Sequence, residues 1–391
     1  MNKQESQATW AAVIVNYSAA AYLDSCLRAL SENQIPPDEI VVVDNASNDD
    51  SLADLAGWPQ VVVEASSRNL GFAGGANRGI ERTDAPIVLV LNPDVEVDAT
   101  FGDKLLHTFG SDEKLGAAGA KLRYPDGKVL QHAGGELDRR LLTTQHRGYQ
   151  QPDQGQWDNP ANVDFVTGGA MALRRAAFDQ VCGFDERFWP AYYEDVDICL
   201  RLRAAGWQVR YQPQLTAVHV ESVTLARSLD YFRYYHRNRI RFALKHLTAE
   251  DWWRGFIPAE LGRLRGEISA IAEGSWPVTS GVSAIEELAR ISRLPDDSAA
   301  SLLSGEALLT MIQALDEVRS RRIVVPDSTS KILDRLRDGW VRRIFGRQQV
   351  FNDAVTRALE AQDRVNRELT AQIVLTLLDL SWRDASADYS D

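Results

Sequence analysis

Short apolar runs alternate with amphipathic stretches over the first hundred residues of the chain. The apolar runs are typical of buried strands and predict strands at Ala11–Asn16, Ile40–Asp44, Gln60–Glu64 and Pro86–Leu91. The stretches between them space their apolar residues as a helix does and predict helices at Tyr22–Asn33, Asp50–Ala56 and Gly71–Arg82. Strands separated by helices indicate right-handed crossovers, so the pattern predicts an α/β fold with a mostly parallel sheet flanked by helices.

The pattern is more mixed between residues 101 and 240 and then turns helical. It predicts further helices at Phe101–Phe109, from Arg175 and at Asp195–Ala205, and further strands at Gly116–Leu122, Trp207–Tyr211 and Ala217–Val220. The polar stretch Tyr124–Pro160 is long for a structureless loop, which predicts a functional lid or excursion. Near the end, Phe351–Trp382 repeats apolar residues near heptad spacing, which is compatible with a coiled coil or with an ordinary bundle helix.

Composition narrows the class of protein. With 391 residues, 45% of them hydrophobic and 25% charged, the chain is predicted to be a soluble globular enzyme of two or three domains. A net charge of −12 argues against broad nucleic-acid binding. The N-terminus has no apolar signal core, and no apolar run approaches the roughly 20 residues that span a bilayer. We therefore expect a cytoplasmic protein with three reduced cysteines.

Carboxylates follow two of the predicted strands. Asp44 ends one apolar run and Asp94 follows another, so both are expected at the carboxyl edge of the sheet, where α/β proteins bind ligands. Asp44 could accept the N3–H of a pyrimidine base, or it could simply cap a turn. Asp94 could bind Mg²⁺ or Mn²⁺ together with His219, while Asn92 binds a donor hydroxyl; alternatively, Asn92-Pro93 only ends the strand and His219 is packed or exposed.

Glycines and paired acids mark two further segments. Gly71, Gly74 and Gly75 open a predicted helix, where backbone amides could bind phosphate or could form a packing turn. The pair Glu194-Asp195 opens another helix after an aromatic run that contains Trp189 and Tyr193. Adjacent carboxyls raise each other's proton affinity, which suits a general base, and the aromatic rings suit a sugar; the alternative is a capped helix with an acidic first turn.

A basic helix follows, at Tyr231–Leu247. Its cationic side chains, among them Arg237, could clamp a pyrophosphate, lie on an anionic membrane surface, or form a solvated face.

In their order and spacing, several segments resemble the inverting family 2 glycosyltransferases of the Rossmann-like GT-A fold, particularly the rhamnosyltransferase-like branch. The matching segments are Val-Asn-Tyr at 15–17, Val-Val-Asp-Asn-Ala-Ser at 42–47, Arg-Asn-Leu-Gly-Phe-Ala-Gly-Gly-Ala-Asn at 68–77, Asn-Pro-Asp-Val at 92–95, Thr-Gly-Gly-Ala at 167–170, Tyr-Glu-Asp-Val-Asp-Ile-Cys-Leu-Arg at 193–201 and the His219 segment. The resemblance implies a transferase domain at 1–245, with a nucleotide-sugar half at about 10–100 and an acceptor half at about 101–227. The remaining 246–391 would form an all-helical region that could mediate oligomerisation.

The resemblance and the residue patterns together predict roles for individual residues. The catalytic pair would be Asp195 as base with Glu194, and the metal ligands would be Asp94 and His219, holding Mg²⁺ or Mn²⁺. The predicted nucleotide site consists of Asn16, Asp44, Asn45, Ser47, Arg68, Asn69, Gly71, Asn77 and Asn92. The predicted sugar and acceptor site consists of Gly168, Gly169, Trp189, Tyr193 and Arg237. Many family members carry Asp-x-Asp where this chain carries Asn92-Pro93-Asp94.

The expected partners are a nucleotide-sugar donor, either dTDP-rhamnose or a UDP-hexose, and a glycan or lipid-linked saccharide acceptor of surface polysaccharide synthesis. A lipid-linked acceptor would be met at the inner face of the membrane. Two other functions remain open at this point. A metal-dependent nucleotidyltransferase would use a similar sheet but a Gly-rich loop after the first strand, where this chain has Asn16-Tyr17-Ser18. A non-catalytic scaffold would act through the C-terminal helices.

Overall fold

The computed structural model describes residues 9–220, 229–248, 250–256, 258–260 and 262–263. These residues fall into two compact units, one of 9–139 and 143–220, the other of 140–142 and the described residues from 229 onward. Most of the predicted helical region 246–391, including its heptad segment, lies outside the described residues. The boundary at residue 245 therefore stays a prediction.

The first unit contains twelve strands and six α-helices among its described residues. The strands are β1 Trp10–Asn16, β2 Glu39–Asp44, β3 Val61–Ala65, β4 Ile87–Leu91, β5 Val95–Val97, β6 Leu115–Arg123, β7 Leu130–His132, β8 Gly135–Leu137, β9 Thr144–His146, β10 Ala161–Asn162, β11 Ala170–Arg174 and β12 Gln208–His219. The helices are α1 Ala20–Ser31, α2 Ser51–Asp54, α3 Gly71–Ile80, α4 Phe101–Ser111, α5 Arg175–Gln180 and α6 Glu194–Ala204, with 3₁₀ turns at Leu55–Gly57 and Glu186–Phe188.

The predicted α/β fold is confirmed: one sheet of ten strands is flanked by helices. Its main path runs β10-β12-β6-β11-β4-β1-β2-β3. The strands β4, β1, β2 and β3 are all parallel, and β1, β2 and β4 are almost wholly buried because helices cover both faces. Beyond β4 the sheet is mixed, since β11 runs antiparallel to both β4 and β6.

One strand differs from its prediction. The segments Trp207–Tyr211 and Ala217–Val220 were expected as two short strands, but they belong to the single strand β12, which pairs in parallel with β6. The register shifts between Gln212 and Thr216, where the polar segment that contains Pro213 interrupts the ladder. Proline cannot donate to a ladder, so a break in the pattern there marks a bulge within one strand.

The polar excursion after β6 has structure of its own. It carries β7, which pairs with β6, and the two-stranded sheet of β8 and β9. Lys121, only 2% exposed, holds the far end of this excursion through Asp153 at 2.8 Å and Asp158 at 2.5 Å. A buried cation between two carboxylates costs several kcal/mol to leave unpaired, so the excursion is fixed to the sheet at this point.

The second unit is described by α7 Leu229–His246, a π-helical turn at Asp251–Phe256 and a few neighbouring residues. Arg239 is buried and pairs with buried Glu260 at 2.5 Å. Burial raises the pKa of Glu260, but the charges of Arg239 and Arg263 outweigh it and lower this pKa to about 2. Arg239 therefore holds this unit together and is not part of a solvated basic face. No described helix is long and apolar enough to cross a bilayer.

Candidate active site

A single turn at 167–170 brings the predicted catalytic and metal-binding residues together. The backbone N–H of Gly168 donates to Oδ2 of Asp195 at 3.2 Å. The carbonyl of Gly169 accepts from the N–H of Asn92 at 3.1 Å. A Cβ on Gly169 would lie 3.6 Å from Cε1 of His219. Asp195 and Asn92 therefore contact adjacent residues of one turn, Gly168 and Gly169, whose Cα atoms are about 3.8 Å apart.

Strand directions explain this meeting. Because β11 runs antiparallel to β4, its first residue, Ala170, pairs with Leu91, the last residue of β4. The end of β12 pairs with β5, which places His219 opposite Val95. The 167–170 turn, the Asn92–Asp94 segment and His219 consequently lie at the same edge of the sheet.

Asp94 and His219 form the candidate metal site. Nε2 of His219 lies 3.2 Å from Oδ1 of Asp94 and 3.4 Å from Nδ2 of Asn92. Two neighbouring ligands of an octahedral ion at roughly 2.1 Å stand about 3.0 Å apart, so the spacing fits one Mg²⁺ or Mn²⁺ between imidazole and carboxylate. Among the described residues no group of three His, Cys, Asp or Glu side chains could hold a metal ion. A cation here would take its other ligands from water and from a bound diphosphate.

Asp195 has the geometry and pKa of a general base. Its Oδ1 accepts the N–H of Val196 at 2.8 Å, while Oδ2 accepts that of Gly168. Burial raises the pKa of Asp195 to about 6, and the two backbone N–H groups oppose that rise. The carboxylate is thus ionised at neutral pH and still basic enough to accept a proton.

Glu194 has different surroundings. Its side chain is 5% exposed, and Oε2 has no hydrogen-bond partner among the described residues. Burial, and then the charges of Asp195 and Asp197, raise the pKa of Glu194 well above its usual value. Of the two carboxyls, Asp195 is therefore the one that is ionised and available.

The aromatic segment before α6 packs onto the glycine-rich loop. Nε1 of Trp189 donates to the carbonyl of Asn69 at 3.1 Å, and the N–H of Phe72 donates to the carbonyl of Pro190 at 2.7 Å. Trp189 is 41% exposed and presents part of its indole ring to solvent, whereas Tyr193 is buried. The sugar-binding roles of both rings stay predictions, and exposure favours Trp189.

Gly71 has a structural reason to be glycine. Its φ is +75°, and a Cβ would lie 2.8 Å from the carbonyl oxygen of Pro190. Oδ1 of Asn69 accepts the N–H of Gly71 at 2.7 Å. Asn77, at the far side of α3, donates to the carbonyl of Phe184 at 2.9 Å rather than facing open space. Arg68 is exposed beside this loop.

The predicted base site is a hydrogen-bonded cluster at the ends of β1 and β2. Nδ2 of Asn16 donates to Oδ1 of Asp44 at 2.9 Å, and the hydroxyl of Ser47 donates to the same oxygen at 2.5 Å. Asn45 ties this cluster to the glycine loop through the carbonyl of Gly71 at 3.0 Å. Both oxygens of Asp44 already accept hydrogen bonds, whereas buried Oδ1 of Asn16 has no partner among the described residues.

Two findings concern residues outside this cluster. Arg237 belongs to the second unit, where its guanidinium lies 4.9 Å from the ring centre of Tyr234, so its acceptor role stays a prediction.

Conversely, Gln131 contacts His219 but was not expected from the sequence. It lies in a polar stretch without regular periodicity, and nothing in that pattern points to it.

Comparisons with known proteins agree on one class of enzyme. Residues 11–182 match the model of glycosyl transferase family 2, and residues 155–225 match that of the N-terminal domain of galactosyltransferase. The N-acetylglucosaminyl-diphospho-decaprenol L-rhamnosyltransferase of Mycobacterium tuberculosis is 30% identical over 271 residues, which is 62% of this chain and 85% of that protein. The O-antigen chain rhamnosyltransferase RfbN of Salmonella typhimurium is 22% identical, over 54% of this chain and 66% of the relative.

Among solved structures, GalNAc-T7 with UDP, GalNAc and Mn²⁺ is similar with a TM-score of 0.47 and 17% identity, over 60% of this chain and 48% of that one. That similarity is too low to support an argument about the site, so the assignment depends on the sequence matches. They set aside the nucleotidyltransferase and the scaffold. The chain is a rhamnosyltransferase-like member of the family 2 glycosyltransferases.

Proposed function

We propose that this enzyme transfers a sugar, with inversion, from a nucleoside-diphosphate donor to a hydroxyl of a lipid-linked saccharide. The observation that carries the proposal is the 167–170 turn, which contacts the Asp195 carboxylate through Gly168 and the Asn92–Asp94 segment through Gly169. A transferase of this kind needs a base for the acceptor hydroxyl and a cationic site for the leaving group, held close together.

The chemical step is a single displacement. Asp195 accepts the proton of the acceptor hydroxyl as the acceptor oxygen attacks the anomeric carbon. The bond from that carbon to the diphosphate oxygen breaks, and its electron pair leaves with the nucleoside diphosphate. Attack from the face opposite the leaving group inverts the anomeric configuration, so no glycosyl-enzyme intermediate forms.

Asp94 and His219 would hold Mg²⁺ or Mn²⁺. When bound, such an ion neutralises charge that develops on the diphosphate. The N–H groups of Gly71 and Phe72 already donate to Asn69 and Pro190, so α3 would act on the diphosphate through the positive potential of its N-terminus and not through these two N–H groups. Oδ1 of Asn16 has no hydrogen-bond partner in the part of the chain that the structure describes, and the residue contacts Asp44 and Ser47. This oxygen would accept an N–H of the base.

The names of the relatives support a particular donor and acceptor. Two of the similar proteins named above are rhamnosyltransferases, which supports dTDP-rhamnose as the donor over a UDP-hexose. The name of the mycobacterial relative supports an N-acetylglucosaminyl diphospho-lipid as the acceptor in surface polysaccharide synthesis. Such an acceptor would be met at the inner membrane surface by a cytoplasmic enzyme in peripheral contact with lipid.

A direct transfer assay tests this proposal. The full chain is incubated with Mn²⁺, a synthetic N-acetylglucosaminyl diphospho-lipid and either dTDP-rhamnose or a UDP-hexose. The expected product carries one added sugar of inverted anomeric configuration, with release of nucleoside diphosphate, and a chelator should abolish its formation until Mn²⁺ is restored. Retention of configuration, or no transfer from any donor, would contradict the proposal.

A further inference from the structure

The excursion after β6 sends one side chain into the candidate metal site. Oε1 of Gln131 lies 2.6 Å from Nδ1 of His219. The glutamine is 5% exposed, so this short contact is shielded from water. Gln131 belongs to β7, in the polar stretch between β6 and β10, and neither the base nor the nucleotide site uses it.

A break in strand register sets the position of Gln131. In the pairing of β6 with β7, Leu122 pairs with His132 and Arg123 pairs with Leu130. Gln131 is therefore the extra residue of a bulge. Bulges re-aim side chains and occur often beside active sites. Here the bulge accompanies an inward glutamine between two fully buried neighbours.

The contact dictates which nitrogen of His219 carries a proton. An amide oxygen has no hydrogen and can only accept, so Nδ1 of His219 must be the donor. In the neutral imidazole the other nitrogen, Nε2, then presents a bare lone pair. That nitrogen faces Oδ1 of Asp94 at 3.2 Å, the spacing that fits a shared divalent cation.

We propose that Gln131 is a positioning residue of the metal site, which holds His219 with its proton on Nδ1 so that Nε2 is free to bind the cation. This inference depends on the proposed metal role of Asp94 and His219. An outer hydrogen bond of this kind fixes the ring orientation and tautomer of a histidine ligand, and its loss usually weakens metal binding about 10–100-fold.

Mn²⁺ binding to the full chain tests the inference without an activity assay. Free Mn²⁺ is titrated by electron paramagnetic resonance in the presence of dTDP. Gln131→Leu should weaken Mn²⁺ binding about 10–100-fold. Gln131→Glu keeps an acceptor oxygen and should restore binding. Gln145→Leu, on the exposed face of neighbouring β9, is the matched control and should bind as the wild type does.

A metal-free measurement separates this inference from the proposed function. The chain has six histidines, so ¹⁵N-histidine NMR can resolve the tautomer of His219 by comparison with a His219→Ala sample. The wild type should carry the proton on Nδ1, and Gln131→Leu should lose that preference. Unchanged Mn²⁺ binding in Gln131→Leu, or failure of Gln131→Glu to restore it, would overturn the inference. If the wild-type enzyme still transfers sugar in the presence of a chelator, that result would instead contradict the proposed metal role of Asp94 and His219.

Discussion

At the scale of single residues, the proposed chemistry depends on two adjacent carboxyls with different surroundings. Asp195 accepts two backbone N–H groups and remains partly accessible, whereas Oε2 of Glu194 is buried without a partner among the described residues. The same burial that makes Asp195 more basic makes Glu194 harder to ionise. Two neighbouring positions on one helix thus differ in their surroundings, and we propose Asp195 as the base.

The pH dependence of the rate should report the base. Burial raises the pKa of Asp195 to about 6, and only the ionised form can accept a proton. We expect kcat/KM to fall about tenfold per pH unit below about 6 and to level off above it. Glu194→Gln should keep this acidic limb, because Glu194 is not the ionised group. A flat profile between pH 5 and 8, or loss of the limb in Glu194→Gln, would contradict the assignment.

The positions of site residues were predictable only where they follow strands. Asp44 and Asp94 follow apolar runs, so their place at the sheet edge could be expected from the sequence, and the structure places both there. Gln131 reaches His219 through a bulge in a short strand of a polar stretch, and no periodic signal marks such a residue. The burial of Tyr193 was equally hidden, because its backbone adopts φ of +72° before α6 and turns the ring inward.

At the scale of elements, the 167–170 turn links β11 to the chemistry on either side of it. Its two glycines differ in what a side chain would meet. A Cβ on Gly168 would lie 2.8 Å from the ring of Phe72, whereas the nearest atom to a Cβ on Gly169 is Cε1 of His219 at 3.6 Å. The first distance is a clash and the second is an ordinary contact.

Alanine at these two positions should therefore have unequal effects. Gly168→Ala must displace either Phe72 or the turn that holds Asp195, so we expect a loss of about 1–3 kcal/mol in the free energy of unfolding and a reduced kcat. Gly169→Ala should unfold as the wild type does. Chemical denaturation of both variants measures the difference, and equal stabilities would show that the Phe72 contact does not constrain the turn.

The elements themselves show how far sequence patterns reach. From β1 to α4 the elements agree with prediction to within a few positions, except for the short strand β5, which was not predicted. Buried parallel strands and amphipathic helices have strong, distinct periods. The second half was harder because β7, β8, β9 and β10 have only two or three residues each and because the long strand β12 is interrupted. A register shift in β12 looked like a gap between two strands, and the strands of the excursion gave no apolar run to detect.

At the scale of the whole molecule, the buried carboxyl of Asp195 makes the stability of the fold depend on pH. A carboxyl with a raised pKa binds protons more tightly in the folded than in the unfolded chain. Its contribution to stability is therefore largest at low pH and declines as pH rises through the folded pKa. For Asp195, a pKa raised from 3.8 to about 6 corresponds to a loss on the order of 3 kcal/mol in the free energy of unfolding as the pH rises between these two values.

Asp195→Asn should remove this pH dependence. Relative to the wild type, the variant should gain up to about 3 kcal/mol in the free energy of unfolding between pH 4 and pH 8. Urea unfolding at several pH values measures the difference, with Asp103→Asn, at an exposed position of α4, as the control. A difference between variant and wild type that does not change with pH would contradict the raised pKa.

The most direct test of the central claim is single-turnover transfer by Asp195→Asn, measured together with donor binding by thermal stabilisation. If Asp195 accepts the acceptor proton, the rate of the chemical step should fall by about 10²–10⁴-fold. The donor with Mn²⁺ should still stabilise the variant as it does the wild type. Asp195 contacts neither the proposed metal ligands Asp94 and His219 nor the cluster of Asn16, Asp44 and Ser47 proposed to bind the nucleobase. Transfer at the wild-type rate would show that another group is the base and would contradict the account.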